Sequence, residues 1–133
     1  MRLRTAACAC GRLTAVCEGE PVRVSVCHCL ACQQRTGSAF GAQARFPTER
    51  VTISGETRLF ERRADSGNLV RHRFCPACGS TVAYQLADQP QVVAIPLGAF
   101  ADPGFSPPPA FSVYERRRHP WTVVLGDDVE HLP

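Results

Sequence analysis

The segment Cys75-Pro76-Ala77-Cys78-Gly79 decides the fold, because its two-residue spacer lets both thiolates reach one metal ion. Pro76 stiffens the turn, and Gly79 can adopt the positive φ that turns backbone N–H groups toward sulfur. Such a zinc knuckle supplies only two of the four ligands that a tetrahedral structural zinc requires. The sequence therefore predicts a zinc-stapled fold in which a second pair of ligands comes from elsewhere in the chain.

Cys8 and Cys10 are the obvious source of that second pair. In an extended strand, residues two apart point to the same side, so a Cys-x-Cys pair presents both sulfur atoms to one ion. The alternative is that both residues are small buried hydrophobes. We expect Cys8 and Cys10 to complete a structural zinc site with Cys75 and Cys78.

Three further thiols lie close together in the sequence at Cys27, Cys29 and Cys32. The first two share a strand face, and Cys29 and Cys32 share a helical face, so all three can meet one ion. Three protein ligands with an open fourth position are typical of a catalytic zinc. The alternative is a closed structural site with His28 or Cys17 as the fourth ligand. An extended backbone sends the His28 ring to the opposite face, however, and Cys17 fits a small buried hydrophobe.

The composition narrows the class of protein and its compartment. The 133 residues include eight cysteines, fifteen arginines, no lysine and twelve acidic residues, for a formal charge of +3. This charge is too weak and too scattered to indicate nucleic-acid binding. The start lacks a signal-peptide core, and the longest mostly apolar stretch, Val92 to Ala101, is too short to cross a bilayer, so we expect a cytoplasmic protein without membrane association. In that reducing compartment the cysteines indicate metal binding or thiol chemistry rather than disulfides.

Short runs rich in Val, Thr, Phe and Tyr alternate with turn residues, which is the pattern of an antiparallel β-sheet protein. We predict a mainly β fold in one domain over residues 1–133, with one short helical turn at Cys29 to Arg35 that Gly37 can end. The proline-rich stretch from Asp102 to Pro109 is predicted to be an extended loop, because proline cannot donate to a sheet. The predicted strands are Leu13–Cys17, Val22–Val26, Phe40–Phe46, Val51–Ile53, Thr57–Phe60, Leu69–Phe74, Thr81–Leu86, Val92–Leu97 and Phe111–Tyr114.

The motifs also match a known family nearly end to end. They are CACG at 8–11, CHCLACQQRTGS at 27–38, HRFCPACGS at 72–80 and HPW at 119–121. On these motifs the sequence resembles the glutathione-dependent formaldehyde-activating enzyme family, also called the centromere protein V-like domain. The resemblance implies an all-β, Mss4-like fold with two zinc ions per chain. It implies a structural zinc on Cys8, Cys10, Cys75 and Cys78 and a catalytic zinc on Cys27, Cys29 and Cys32.

The resemblance further implies the activity of an S-(hydroxymethyl)glutathione synthase, a carbon–sulfur lyase that joins glutathione and formaldehyde. A free thiol is mostly protonated at neutral pH, whereas coordination to zinc in the vacant position makes it the attacking thiolate. Three cysteine thiolates give the zinc site a net negative charge, which suits delivery of sulfur better than hydrolysis. The expected partners are a small-molecule thiol, glutathione or similar, and an aldehyde or another small electrophile.

Substrate contacts are expected directly after the three-cysteine motif. Glutathione carries two carboxylates, so Arg35, with Thr36 and Ser38, is a candidate clamp for the thiol substrate. A solvated arginine at a helix end is the alternative. Trp121 could line the substrate pocket. A single tryptophan, however, is usually found in the hydrophobic core of a protein. The run from Arg116 to Arg118 is interpreted as a solvated strand end.

A different class of function stays open on the sequence alone. The knuckle and the arginine run also fit a zinc-stapled binding module for a protein or nucleic acid, without catalysis. The number of zinc ions per chain separates the two hypotheses. A binding module with one structural site holds one zinc ion, whereas the enzyme holds two. The sequence assigns no role to His119 and does not define the oligomeric state.

Overall fold

Strands dominate the computed structural model, which describes residues 1–133. It contains eleven β-strands, one α-helix and three short 3-10 helices, so the predicted mainly β class is confirmed. The α-helix, α1, is Leu30–Thr36, and the 3-10 helices are Thr48–Arg50, Leu97–Phe100 and Glu115–Arg117. The strands are β1 Leu3–Ala7, β2 Thr14–Glu18, β3 Arg23–Cys27, β4 Gly41–Pro47, β5 Val51–Ser54, β6 Arg58–Arg63, β7 Leu69–Phe74, β8 Thr81–Leu86, β9 Val92–Pro96, β10 Phe111–Val113 and β11 Glu130–His131.

The strands form two sheets. The smaller sheet has the order β1-β2-β5, and the larger has the order β11-β10-β3-β4-β9-β8-β7-β6. All pairs are antiparallel except that β10 runs parallel to both β3 and β11. The long proline-rich connection from residue 102 to 109 contains no strand, as predicted, and it leads into β10. The topology thus places β10 beside β3, the strand that ends at the first cysteine of the three-cysteine motif.

The core lies where the two sheets pack together. The smaller sheet contributes Ala15 and Cys17 of β2, and the larger contributes Ala44 and Phe46 of β4 and Ile95 of β9, all fully buried. Burying each large apolar side chain contributes about 1.5–3 kcal/mol relative to leaving it exposed. Cys17 belongs to this core and to neither cysteine cluster, so its interpretation as a small buried hydrophobe is confirmed.

The short helix α1 is defined by caps at both ends. Cys29 is the N-cap, and its Sγ accepts a hydrogen bond from the backbone N–H of Cys32 at 3.3 Å. Gly37 ends the helix in the left-handed conformation, with its N–H donated to the carbonyl of Gln33, as the sequence predicted. The helix has seven residues, and no helix of the chain is long and apolar enough to cross a bilayer. A metal-ligand candidate therefore starts the one α-helix of the fold.

Several structural features differ from the sequence-based predictions. Strands β1 and β11 were not predicted. Trp121 is 73% exposed, so the expectation that it belongs to the core is wrong. The segment from Glu115 to Arg117 is a 3-10 helix rather than a strand end, although Arg116 and Arg117 are exposed. The half-buried Arg118 donates to the carbonyl oxygen of Thr122 at 2.7 Å.

Gly55, in the turn between β5 and β6, should be the glycine least tolerant of replacement. Its φ is +106°, and a Cβ there would lie 2.0 Å from the carbonyl oxygen of Arg12. We expect Gly55→Ala to destabilise the fold by about 3 kcal/mol, and to lower the thermal unfolding midpoint by about 10 °C, because backbone must move. Gly67→Ala is the control, since Gly67 has a φ of +91° with open space around it. Equal losses in the two variants would show that the contact with Arg12 is unimportant.

Candidate metal centres and the adjoining cleft

Cys8, Cys10, Cys75 and Cys78 form the four-cysteine site. Their four sulfur atoms all lie within 4.8 Å of one another, so the group could hold a metal ion. The Sγ atoms of Cys8 and Cys10 are 3.6 Å apart, and those of Cys10 and Cys75 are 3.7 Å apart. A tetrahedral zinc with Zn–S bonds of about 2.3 Å requires sulfur atoms about 3.8 Å apart. The spacing of the thiols therefore fits a tetrahedral ion of this size.

Two turns from different sheets bring these cysteines together. Cys8 and Cys10 follow β1 of the smaller sheet, whereas the other pair lies in the turn between β7 and β8 of the larger sheet. The expectation that Cys8 and Cys10 sit in an extended strand is wrong, because β1 ends at Ala7 and a turn brings both sulfur atoms to Cys75 and Cys78. Gly79 has a φ of +82°, as the sequence predicted for the knuckle. The site thus joins the two sheets.

Ser80 supports the thiolate form of Cys78. The hydroxyl oxygen of Ser80 lies 3.5 Å from the Sγ of Cys78. Hydrogen bonding to the side chain and backbone of Ser80 lowers the pKa of Cys78 to about 5. Ser80 also packs on the other cysteine turn, where its Oγ accepts a hydrogen bond from the N–H of Ala9 at 3.2 Å. One hydroxyl therefore helps to hold the two turns of the four-cysteine site in register.

Cys27, Cys29 and Cys32 form the three-cysteine site, and their sulfur atoms also lie within 4.8 Å of one another. Cys27 is the last residue of β3, Cys29 is the N-cap of α1, and Cys32 lies in the first turn of α1. The group contains three side chains, whereas the four-cysteine site contains a full tetrahedral set. The strand-to-helix transition thus produces the convergence that the spacing predicted.

The three thiols of this site differ in pKa because they interact with one another. Hydrogen bonds with Cys27 and Cys32 lower the pKa of Cys29 to about 2, and hydrogen bonds with Cys29 and Cys32 raise the pKa of Cys27. One sulfur therefore carries the negative charge and its neighbours keep their protons. A metal ion that binds all three as thiolates must release those protons.

Gly41 lets α1 approach β4 closely. Its backbone pairs with that of Cys27, and a Cβ at Gly41 would lie 3.4 Å from the Cβ of Cys32 and 3.1 Å from a terminal nitrogen of Arg35. Both contacts are tighter than most Cβ contacts in proteins. Gly41 therefore sets the distance between the helix and the sheet at the three-cysteine site, a role that sequence reasoning missed because the contact is not local.

A cleft of about 520 Å³, here called the metal cleft, opens beside the three-cysteine site and includes all three cysteines in its lining. Its other walls carry Arg23, Arg45 and Arg62 from three different strands, against the single acidic residue Asp65. Three arginines, set against Asp65 and the thiolate of Cys29, leave the lining with an excess of positive charge. The metal cleft therefore favours an anionic ligand next to the cysteines.

A buried hydroxyl and an aromatic ring hold two of these arginines in place. Ser25 is buried, and its Oγ accepts hydrogen bonds from Arg45 at 3.0 Å and from Gln43 at 2.7 Å. The guanidinium of Arg23 stacks over Phe111 at 4.2 Å from the ring centroid. Such pre-positioned guanidinium groups pair well with carboxylates, because little side-chain entropy remains to be lost.

The predicted substrate contacts Arg35, Thr36 and Ser38 lie outside the lining of the metal cleft. Thr36 is occupied locally, since its hydroxyl donates to the carbonyl of Cys32 at 2.9 Å and accepts from the N–H of Ser38 at 3.2 Å. Arg35 is half-buried and stacks over Tyr84 at 5.1 Å, so it is not the solvated helix-end arginine of the alternative reading. Binding of substrate by these three residues stays a prediction.

His28 is buried and faces away from the three-cysteine site. Its Nε2 is 2.9 Å from the Oγ of Ser112 on β10, and it is absent from both cysteine clusters, as the sequence predicted. The backbone carbonyl of His28 accepts a hydrogen bond from Gln33 at 2.9 Å. The contacts of His28 with Ser112 and Gln33 therefore hold the segment between β3 and α1 against β10 and α1.

His119 and Trp121 lie in the segment after β10 and outside the metal cleft. Nε2 of His119 is 2.9 Å from Oε1 of Gln33, and the His119 ring stacks on Trp121 with centroids 5.3 Å apart. The late HPW motif thus contacts the middle of α1 through Gln33. The position of Trp121 does not support its suggested role as a wall of the pocket.

Comparison with known proteins assigns the chain to a family. The sequence model of the glutathione-dependent formaldehyde-activating enzyme matches residues 3–117. A crystal structure of a Rhodobacter sphaeroides protein shares the fold, with a TM-score of 0.58 at 18% identity over 77% of this chain and 91% of that chain. No curated protein matches the sequence. Since the family match spans most of the chain and includes all seven clustered cysteines, the chain belongs to the glutathione-dependent formaldehyde-activating enzyme family.

Proposed function

We propose that this chain is a zinc enzyme of the carbon–sulfur lyase type, which adds glutathione or a similar thiol to formaldehyde or another small electrophile. The observation that carries the proposal is the three-cysteine site beside the metal cleft. Four protein ligands close a structural site, whereas three leave one position for a substrate. This chain has one cysteine group of each kind, one with four ligands and one with three.

The donor set of both sites fits zinc. Thiolate sulfur is a soft ligand that selects zinc, copper(I) or iron–sulfur clusters over magnesium, calcium or manganese. Cys27, Cys29 and Cys32 would hold the catalytic ion, and the four-cysteine site would hold a structural one. When bound, the catalytic zinc lowers the pKa of a coordinated thiol, so that the sulfur is the thiolate at neutral pH.

The arginines of the metal cleft supply the recognition of the thiol substrate. Glutathione carries two carboxylates, and Arg23, Arg45 and Arg62 line the cleft in which its sulfur would reach the cysteines. Because Arg45 and Arg23 are held by Ser25 and Phe111, they position the ligand as well as attract it. We therefore place the carboxylate contacts on these strand arginines.

The overall reaction forms one bond between sulfur and carbon. The thiol sulfur supplies the electron pair to the carbonyl carbon of formaldehyde, the π bond of the carbonyl breaks toward oxygen, and the thiol proton ends on that oxygen. The product is a hydroxymethyl thioether. No oxidant or reductant is needed, so the cysteines of the chain keep their oxidation state.

The direct test is to mix the zinc-loaded protein with glutathione and formaldehyde, and to follow adduct formation by exchange NMR. We expect the exchange rate between free glutathione and its adduct to rise in proportion to protein concentration. An unchanged rate relative to the reaction without protein would refute glutathione and formaldehyde as the substrates.

A further inference from the structure

A second pocket, here called the histidine pocket, lies beside the metal cleft. It measures about 550 Å³, shares Ala31 and Arg62 with the metal cleft and has no cysteine in its lining. Its walls come from α1, β6, β7 and the start of β8 with the turn before it. Apart from Arg62, the proposed reaction uses no residue of this pocket, so the chemistry of the pocket requires its own explanation.

His72 is the unusual residue of the histidine pocket. It is only 5% exposed, and neither Nδ1 nor Nε2 has a hydrogen-bond partner. Its ring lies in a cross-strand row between Phe60 and Tyr84, with centroids 6.1 Å and 5.4 Å away. An apolar side chain would satisfy this position without leaving two buried nitrogens unpaired. The two unpaired ring nitrogens therefore indicate that a polar group of a ligand binds next to His72.

The positive charge of the histidine pocket indicates that the ligand is an anion. Arg35 and Arg62 line it, no acidic side chain does, and neither arginine forms an ion pair. A terminal nitrogen of Arg35 is buried without a partner, and its guanidinium is held over the ring of Tyr84. Burial, with these two arginines nearby, lowers the pKa of His72 to about 4, so the ring is neutral at neutral pH and carries one N–H donor.

We propose that the histidine pocket binds an organic carboxylate, with Arg62 and Arg35 pairing with the anion and His72 donating a hydrogen bond to it. Phe60, Phe74 and Ala31 give the pocket the apolar wall that the carbon skeleton of such a ligand requires. A planar carboxylate matches the guanidinium fork. This inference shares Arg62 with the proposed function and rests on it where the ligand is the thiol substrate, but its own observations are the unpaired nitrogens of His72 and Arg35.

The carboxylate could come from two sources, which share this chemistry. One is a carboxylate of a peptide thiol whose sulfur lies in the metal cleft, because Arg62 and Ala31 line both spaces. The other is a free small carboxylate. The two sources predict different affinities for a peptide carboxylate and for acetate.

The test follows the histidine ring signals of the zinc-loaded protein by NMR, without formaldehyde. The probes are S-methylglutathione, sodium acetate and sodium phosphate, and His72→Phe identifies the His72 signal while keeping an aromatic ring in the row. We expect a saturable shift of the His72 signal with a carboxylate probe. Arg62→Gln should weaken that binding by roughly tenfold or more.

Arg71→Gln is the matched control for Arg62→Gln. It removes the same charge from the neighbouring strand, but Arg71 is exposed, pairs with Glu61 at 2.8 Å and lies outside both pockets. We expect this variant to keep the carboxylate affinity of the parent protein.

Each outcome of the titration has a defined meaning. Saturation by S-methylglutathione at far lower concentration than by acetate supports a peptide carboxylate, and comparable saturation by acetate supports a free carboxylate. A His72 signal that responds to no probe, or to phosphate alone, would overturn the proposal, as would equal losses in the Arg62 and Arg71 variants. A failure of the proposed reaction would show instead in the exchange experiment, which measures no histidine signal.

Discussion

Replacing Cys29 with serine should remove one of two zinc ions and reduce adduct formation by more than about 100-fold, while the fold stays intact. Cys29 belongs to the three-cysteine site, and changes even in the outer shell of a metal site typically cost 10–100-fold. Its sulfur is also the one most readily ionised, with a pKa of about 2. Zinc analysis per chain, circular dichroism and the exchange rate measure the three effects on one sample.

Cys17→Ala is the control for the Cys29 variant. It removes a thiol of the same kind, but Cys17 is buried in the core and belongs to neither cysteine cluster. We expect two zinc ions and the parent exchange rate in this variant. If Cys29→Ser keeps two zinc ions and full activity, the catalytic assignment is contradicted. If the parent protein itself holds only one zinc ion, a binding module with a single structural zinc is favoured.

Replacing Cys75 with serine should unfold the protein at ordinary temperatures. Structural zinc contributes about 10–16 kcal/mol of apparent binding free energy in small zinc domains, which is comparable to the whole net stability of about 5–15 kcal/mol of a typical domain. Cys75 is 1% exposed, so the serine hydroxyl would also be buried beside the remaining thiols. Thermal unfolding followed by circular dichroism measures the loss.

Cys32→Ser separates metal loss from loss of the fold. It removes one ligand from the three-cysteine site, as Cys75→Ser does from the four-cysteine site, but it leaves the contact between the sheets intact. We expect a much smaller fall in the unfolding midpoint for Cys32→Ser. Similar midpoints in the Cys75 and Cys32 variants would mean that the four-cysteine site has no special structural role.

The sequence predicted the features that depend on neighbouring residues. The runs at Leu69–Phe74 and Thr81–Leu86 match strands β7 and β8 residue for residue, because β-branched and aromatic residues bounded by turns are a local signal. The C-terminal end of α1 at Gly37 was predictable for the same reason, whereas Cys29, expected as the first helical residue, is the N-cap of a helix that runs from Leu30 to Thr36. So was the separation of the clustered cysteines into a group of four and a group of three.

Contacts between distant segments could not be predicted in this way. Strand β1, with the sequence LRTAA, has little strand propensity and forms because it pairs with β2 along its whole length. The metal cleft combines Arg23, Arg45 and Arg62, which no spacing connects and which only the sheet topology brings together. Trp121 was placed in the core from its residue type alone, whereas its position depends on stacking against His119 outside the sheets.

The two cysteine groups differ in how much of the chain separates their ligands. The three-cysteine site lies within residues 27–32, so a ribosome has made all of its ligands before it reaches Cys75 and Cys78. The four-cysteine site needs Cys78, and it closes a loop of 65 residues between Cys10 and Cys75. Closing that loop has an entropic cost that a six-residue motif avoids. On a growing chain, the candidate catalytic ligands are therefore complete before the ligands that join the two sheets.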